Sequence, residues 1–151
     1  MTWNDLINRG RIGKHTTSGS EISELRGVVA RDLADAGIDG LSADRRFATA
    51  YNAALQSSKM VIACTGYRVK GLGAHNTTFA CLKLAMGEPI NQIARFLDQA
   101  RRKRNIADYD AAGRITDTEV EDMVRIAELL AVQVEEWIQR NLPDLSEKPR
   151  D

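Results

Sequence analysis

Between positions 101 and 109 the chain reads Arg101-Arg102-Lys103-Arg104-Asn105-Ile106-Ala107-Asp108-Tyr109, four cations followed within a few residues by an amide, a carboxylate and a phenol. On an α-helix, Ile93, Leu97, Ala100, Arg104 and Asp108 share one stripe. Arg104 therefore continues an apolar face, and its guanidinium requires a partner. Asp108, four residues on, can accept from it, while Arg102, Asn105 and Tyr109 gather on a neighbouring face. Two chemistries fit this pattern. In one, Arg104 and Asp108 form an intrahelical ion pair and Arg101, Arg102 and Lys103 are solvated. In the other the segment meets phosphate: Arg104 offers a planar fork to a non-bridging oxygen, and Asn105 or Tyr109 positions a ribose or a second oxygen.

The remaining chemistry-bearing residues are less organised. His15 and His75 lie far apart, with no second His, Cys or carboxylate at the spacings of a zinc site, so neither a metal nor another cofactor is expected. His75 reads chiefly as a cap or brace for the start of a helix, with a role in a cleft as the lesser reading. Gly71-Leu72-Gly73 superficially suggests a phosphate loop, but no strand pattern precedes it and no Gly-Lys-Ser/Thr follows; a chain reversal explains it. Arg68 and Lys70 would add positive charge if their loop lay near the end of the basic helix. Ser57-Ser58 and Thr77-Thr78 lack the His and Asp of a hydrolase triad.

The segment Arg102-Lys103-Arg104-Asn105-Ile106-Ala107-Asp108-Tyr109, preceded by Tyr67-Arg68-Val69-Lys70 and by His75 opening a short helix, and followed by a long C-terminal helix, resembles a HEPN domain over about residues 42–142. That family is an all-α bundle that usually dimerises. Its signature is an Arg, often with a polar residue directly after it, then a His four to six residues further on. The resemblance implies a homodimer whose inter-protomer cleft binds RNA or a nucleotide. Active members are metal-independent endoribonucleases, and many are toxins whose antitoxin is a nucleotidyltransferase.

Carried over, the motif Arg is Arg104 and its polar neighbour Asn105, which makes Arg104 and Tyr109 the candidate catalytic pair. Arg101, Arg102, Arg104, Asn105 and Asp108 become the candidate RNA- or nucleotide-binding residues. Tyr109 stands where the family has His. A phenol titrating near pH 10 is a poor base beside an imidazole near 6.5, so the substitution implies a weakened or absent nuclease. If the protein cuts RNA, the reaction is attack of a ribose 2′-hydroxyl on the adjacent phosphate, with Arg104 stabilising the transition state. The tyrosine that some members carry two residues after the His, where the partner enzyme adenylylates it, has no counterpart, because that position is Ala111. The alternative function is a non-catalytic interaction module that partners a nucleotidyltransferase or another protein through the basic segment.

Apolar residues recur at spacings of three and four with almost no period-two alternation, so the fold expected is all-α, an up-and-down bundle of four to five helices. Trp3, Leu6 and Ile7 suit a short N-terminal turn or helix, with a polar loop over residues 10–20. Helices are expected over about residues 21–36 (stripe Ile22, Leu25, Val29, Leu33), after a Ser42 cap to about residue 65, briefly through Phe79, Leu82 and Met86, over about residues 90–109, and from a Thr116/Glu119 capping box to about residue 142. A turn is expected over residues 112–114. Residues 1–20 then form an N-terminal docking segment or arm, 21–142 a single helical domain and 143–151 a flexible C-terminal tail.

Composition agrees with one globular domain. The 151 residues are 43% hydrophobic and 28% charged, enough for a core without disulfides. Lys plus Arg equals Asp plus Glu at 21 each, so any affinity for nucleic acid has to come from a local patch. No apolar run approaches the roughly 20 residues of a membrane span, and Met1-Thr2-Trp3-Asn4-Asp5 lacks signal-peptide form. A cytoplasmic protein that does not meet a membrane is expected, with Cys64 and Cys81 as reduced, buried thiols.

Overall fold

The computed structural model describes the backbone of residues 1–109 and 115–147 and the side chains of residues 1–104 and 115–147. Over these residues the chain is an all-α helical bundle. Its helices are α1 (Trp3–Asn8), α2 (Gly19–Ala36), α3 (Ala43–Cys64), α4 (Ala74–Met86), α5 (Asn91–Tyr109) and α6 (Asp117–Asn141), with two three-residue strands, β1 (Ile12–Lys14) and β2 (Tyr67–Val69). The expected turn at 112–114 falls outside the described residues. None of the described helices is long and apolar enough to cross a membrane.

The helices start where side chains can take up their free N–H groups. Ser18 accepts from the amide of Glu21, and Ser42 from that of Arg45. Thr116 and Glu119 form the reciprocal capping box, and Thr2 and Asp5 make a second one on α1. Each such cap is worth about 1 kcal/mol. α3 is the central helix, packed against α2, α4, α5 and α6. Ala50, Ala53, Ala54, Ser57 and Ser58 are all buried on it, and such small side chains let neighbouring helices approach closely. Ile22, Val29, Leu82, Ile93, Leu97, Val120, Met123, Leu130 and Ile138 complete the main core.

The strands were not visible in the sequence, because three residues are too few to establish alternation. β1 and β2 pair antiparallel, Ile12 opposite Val69 and Lys14 opposite Tyr67. Trp3 stacks on Tyr67 with centroids 4.8 Å apart, and Leu6, Ile12, Ile62 and Cys81 form a second small cluster. The N-terminal segment is thereby docked on α3 and α4. At the other end, Arg26 of α2 donates to both carboxylate oxygens of Glu135 (2.7 and 3.1 Å) and to the Leu145 carbonyl (3.0 Å), which ties the turn Pro143–Leu145 to the bundle.

The connection from α3 to α4 decides where the site lies. It runs back along α3 as β2 and reverses through Gly71 and Gly73, whose φ angles of 83° and 70° are left-handed and suit glycine. Arg11 clamps the turn by donating to the Leu72 carbonyl at 3.0 Å. α4 consequently begins beside Tyr51, midway along α3, while Cys81 reaches Ile62 near its C-terminal end. Cys64 is half-buried and Cys81 buried; both thiols are free, and burial pushes each up to about 11.

Candidate functional site

α5 buries Ile93, Leu97 and Ala100. The next residue on that stripe is Arg104, and its guanidinium lies over the ring of Tyr51 with Cζ 5.3 Å from the ring centroid. Such a cation–π contact contributes about 0.5–2 kcal/mol depending on desolvation. The Arg104 Nε is buried with no hydrogen-bond partner among the described residues. An unmet buried donor costs about 1–3 kcal/mol, so the contact with Tyr51 by itself does not account for Arg104 being there.

Tyr51 is the hub. It is fully buried, its ring meets Phe79 edge-on at 6.1 Å, and its hydroxyl bonds Nδ1 of His75 at 2.9 Å. The imidazole and the Arg104 guanidinium thus lie against the same tyrosine, one from the start of α4 and one from the end of α5. His75 does not cap its helix: the N-cap of α4 is Gly73, with no side-chain hydrogen bond. Burial, and then the positive charges of Arg104, Lys59 and Arg101, hold the His75 imidazole below its ordinary pKa, so it is neutral at neutral pH. Burial raises the Tyr51 phenol, which keeps its proton.

The hydrogen bond to Tyr51 sets the tautomer. No other described group bonds the Tyr51 hydroxyl, so donation to Nδ1 is how this buried O–H is satisfied. The His75 proton then sits on Nε2. In this state His75 offers a neutral N–H donor beside a cation with an unmet donor of its own, a pairing suited to an anionic oxygen.

The rest of the basic run is distributed around this centre. Asp98 accepts from Arg101 at 3.2 Å and pairs with Arg102 at 3.5 Å. Lys103 turns to the other side of α5 and pairs with Glu119 of α6. Asn105, Asp108 and Tyr109 belong to α5 by backbone, but their side chains lie outside the described residues. Arg101, Arg102 and Arg104 are therefore the predicted residues whose surroundings are defined, and Asp98 offsets part of their charge.

Other predicted features lie elsewhere. Arg68 lines a groove with His15, Glu21, Leu25 and Lys59, none of them on α5. His15 bonds the Glu21 carboxylate at 2.8 Å through Nε2, and Thr17 donates to the same group at 2.7 Å. This arrangement braces the start of α2. Among the described residues, no three His, Cys, Asp or Glu side chains are placed to hold a metal ion.

Sequence reasoning missed Tyr51 and underweighted His75. Helical spacing places Tyr51 among the apolar positions of α3, although a buried phenol needs a hydrogen-bond partner. That unmet need was the available signal. His75 is 24 residues away, and no helical spacing relates the two. Comparison of the chain with protein-family models, curated proteins and solved structures returns no match, so the chemistry of the site is the basis for any functional reading.

Proposed function

We propose that this protein is a HEPN-like RNA-binding bundle in which Arg104 and His75 hold a phosphate of the nucleic acid at the junction of α3, α4 and α5. The observation that carries the reading is the buried Arg104 Nε without a hydrogen-bond partner, held against Tyr51 beside a neutral imidazole. A phosphate here accepts from the terminal N–H groups of the Arg104 guanidinium and from His75 Nε2, reaches the buried Nε when the side chain shifts outward, and balances the positive charge of Arg101 and Arg102.

Binding is favoured over cleavage. Abstracting a 2′-hydroxyl proton needs an unprotonated ring nitrogen facing the substrate, whereas Tyr51 occupies Nδ1 and leaves the proton on Nε2. The tyrosine at 109 points the same way, since the family's histidine is absent there. Two copies placed with their α5 ends together would form the dimer cleft that the resemblance implies.

The test is RNA binding and cleavage in EDTA by the wild-type protein, Arg104→Ala, His75→Ala and Tyr109→His. Expected are binding without cleavage in the wild type, loss of binding in Arg104→Ala and weaker binding in His75→Ala. Cleavage by the wild type that disappears in Arg104→Ala would overturn the binding-only assignment. Absence of any RNA binding would overturn the proposal and favour the protein-partner module. That second reading has its own observation, the exposed Leu129 and Val132 three residues apart on α6.

A further inference from the structure

α4 and α5 are joined by the single turn Glu88–Ile90 and form a helical hairpin. A groove of about 340 Å³ runs between them, lined by Asn76, Phe79 and Lys83 of α4 and by Arg95, Asp98 and Arg102 of α5, with Ala80, Ala94 and Gln99 completing it. Phe79 and Ala94 are almost fully buried and close its floor. Lys83 and Arg95, close to the turn, belong to opposite helices, and Asn76 and Arg102 occupy the far end, one and two residues along the chain from His75 and Arg104. Seven residues of helix separate the two levels, a distance of about 10 Å. One phosphate cannot reach both.

The groove carries more positive than negative charge. Lys83 and Arg95 are exposed and form no ion pair among the described residues, while the one carboxylate present, Asp98, is engaged by Arg101 and Arg102. Both cations border the groove and, being exposed, can converge on an anion laid along it. Phe79, the aromatic residue of the lining, is 2% exposed and offers little face for a base to stack on. The groove therefore presents cations and neutral amides, Asn76 and Gln99, to whatever lies along it.

We infer that the α4–α5 groove is a track for the backbone of single-stranded RNA, in which Lys83 and Arg95 take a phosphate flanking the one held by Arg104 and His75. This rests on the RNA-binding reading of the Arg104 centre and extends it. With little aromatic surface exposed in the groove, recognition there is through the backbone and indifferent to sequence. Each phosphate neutralised on a single strand contributes about 0.7 to the slope of log affinity against log salt.

The experiment compares a fluorescent ten-nucleotide oligouridylate with uridine 3′-monophosphate, using the wild type, Lys83→Gln/Arg95→Gln, and the control Arg45→Gln/Arg140→Gln, which removes the same charge from α3 and α6, outside the groove. Expected for the groove variant are about tenfold weaker binding of the oligonucleotide, a salt slope lower by about 0.7 and mononucleotide binding equal to wild type. The control should bind both ligands as the wild type does. Oligonucleotide affinity and salt slope unchanged in the groove variant would overturn the track while leaving the Arg104 centre standing. Equal losses in the groove variant and the control would overturn it too, because net charge would then be the cause. Failure of the wild type to bind either ligand would overturn the functional reading and the track together.

Discussion

Arg104→Met distinguishes an arginine held for a ligand from one that holds the fold. Methionine keeps most of the apolar stem and removes the guanidinium. The loss is the contact over Tyr51, about 0.5–2 kcal/mol, and the relief is that of an unmet buried Nε, about 1–3 kcal/mol. The two oppose, so the variant should lie between about 1 kcal/mol less stable and about 2.5 kcal/mol more stable than wild type. Urea unfolding followed by far-UV circular dichroism measures this, with an unchanged m-value showing that the native state is equally compact. Removing the Arg104 charge should also raise the His75 pKa, though not to its ordinary value, because burial is the larger cause of its depression; imidazole NMR titration reads this directly. A stability loss above about 3 kcal/mol, in the range of a broken buried ion pair, would show that Arg104 is a structural residue and would refute the reasoning behind the proposed site.

Acid should destabilise the protein in two separable steps. His75, faced by Arg104 and Arg101 from α5 and by Lys59 and Tyr51 from α3, has a folded pKa below its unfolded value of 6.5; the unfolded state binds more protons in that interval, so stability falls as pH drops below about 6.5. Urea titrations of wild type and His75→Gln should show this step vanish in the variant, while a later loss remains below the ordinary carboxylate range, where Glu21, held down by its bonds from Thr17 and His15, becomes protonated. Arg26→Met should cost about 1–3 kcal/mol by stranding Glu135 and the Leu145 carbonyl; in a urea-unfolding cycle with Glu135→Met, the double variant should lose less than the sum of the singles, and strict additivity would argue against the pairing. Cys64 and Cys81, each raised by burial from 9.0 to about 11, should react with a disulfide reagent at pH 8 about a hundredfold more slowly than in denaturant; comparable rates would show that neither thiol is shielded.

The α-helical content, the approximate bounds of α2 to α6 and the placement of Arg104 at the end of an apolar stripe followed from local pattern. Ser18, Ser42 and Thr116 act on amides three residues away, and Ile93, Leu97, Ala100 and Arg104 are related by the pitch of one helix, so neighbours in sequence carry that information. β1 and β2 were hidden because their stability comes from pairing with each other and from Trp3 on Tyr67, contacts between residues more than fifty positions apart. The site divided along the same line. Sequence marked Arg101, Arg102 and Arg104 as a cluster in need of a partner, but the partner depends on where the reversal at Gly71 and Gly73 sets down α4. Only that placement brings His75 to the hydroxyl of Tyr51 and both to Arg104, and only tertiary burial makes the imidazole neutral and the guanidinium donor unmet. Residue types determined what this chain could do with phosphate, and the return of the chain along α3 decided which groups are close enough to do it.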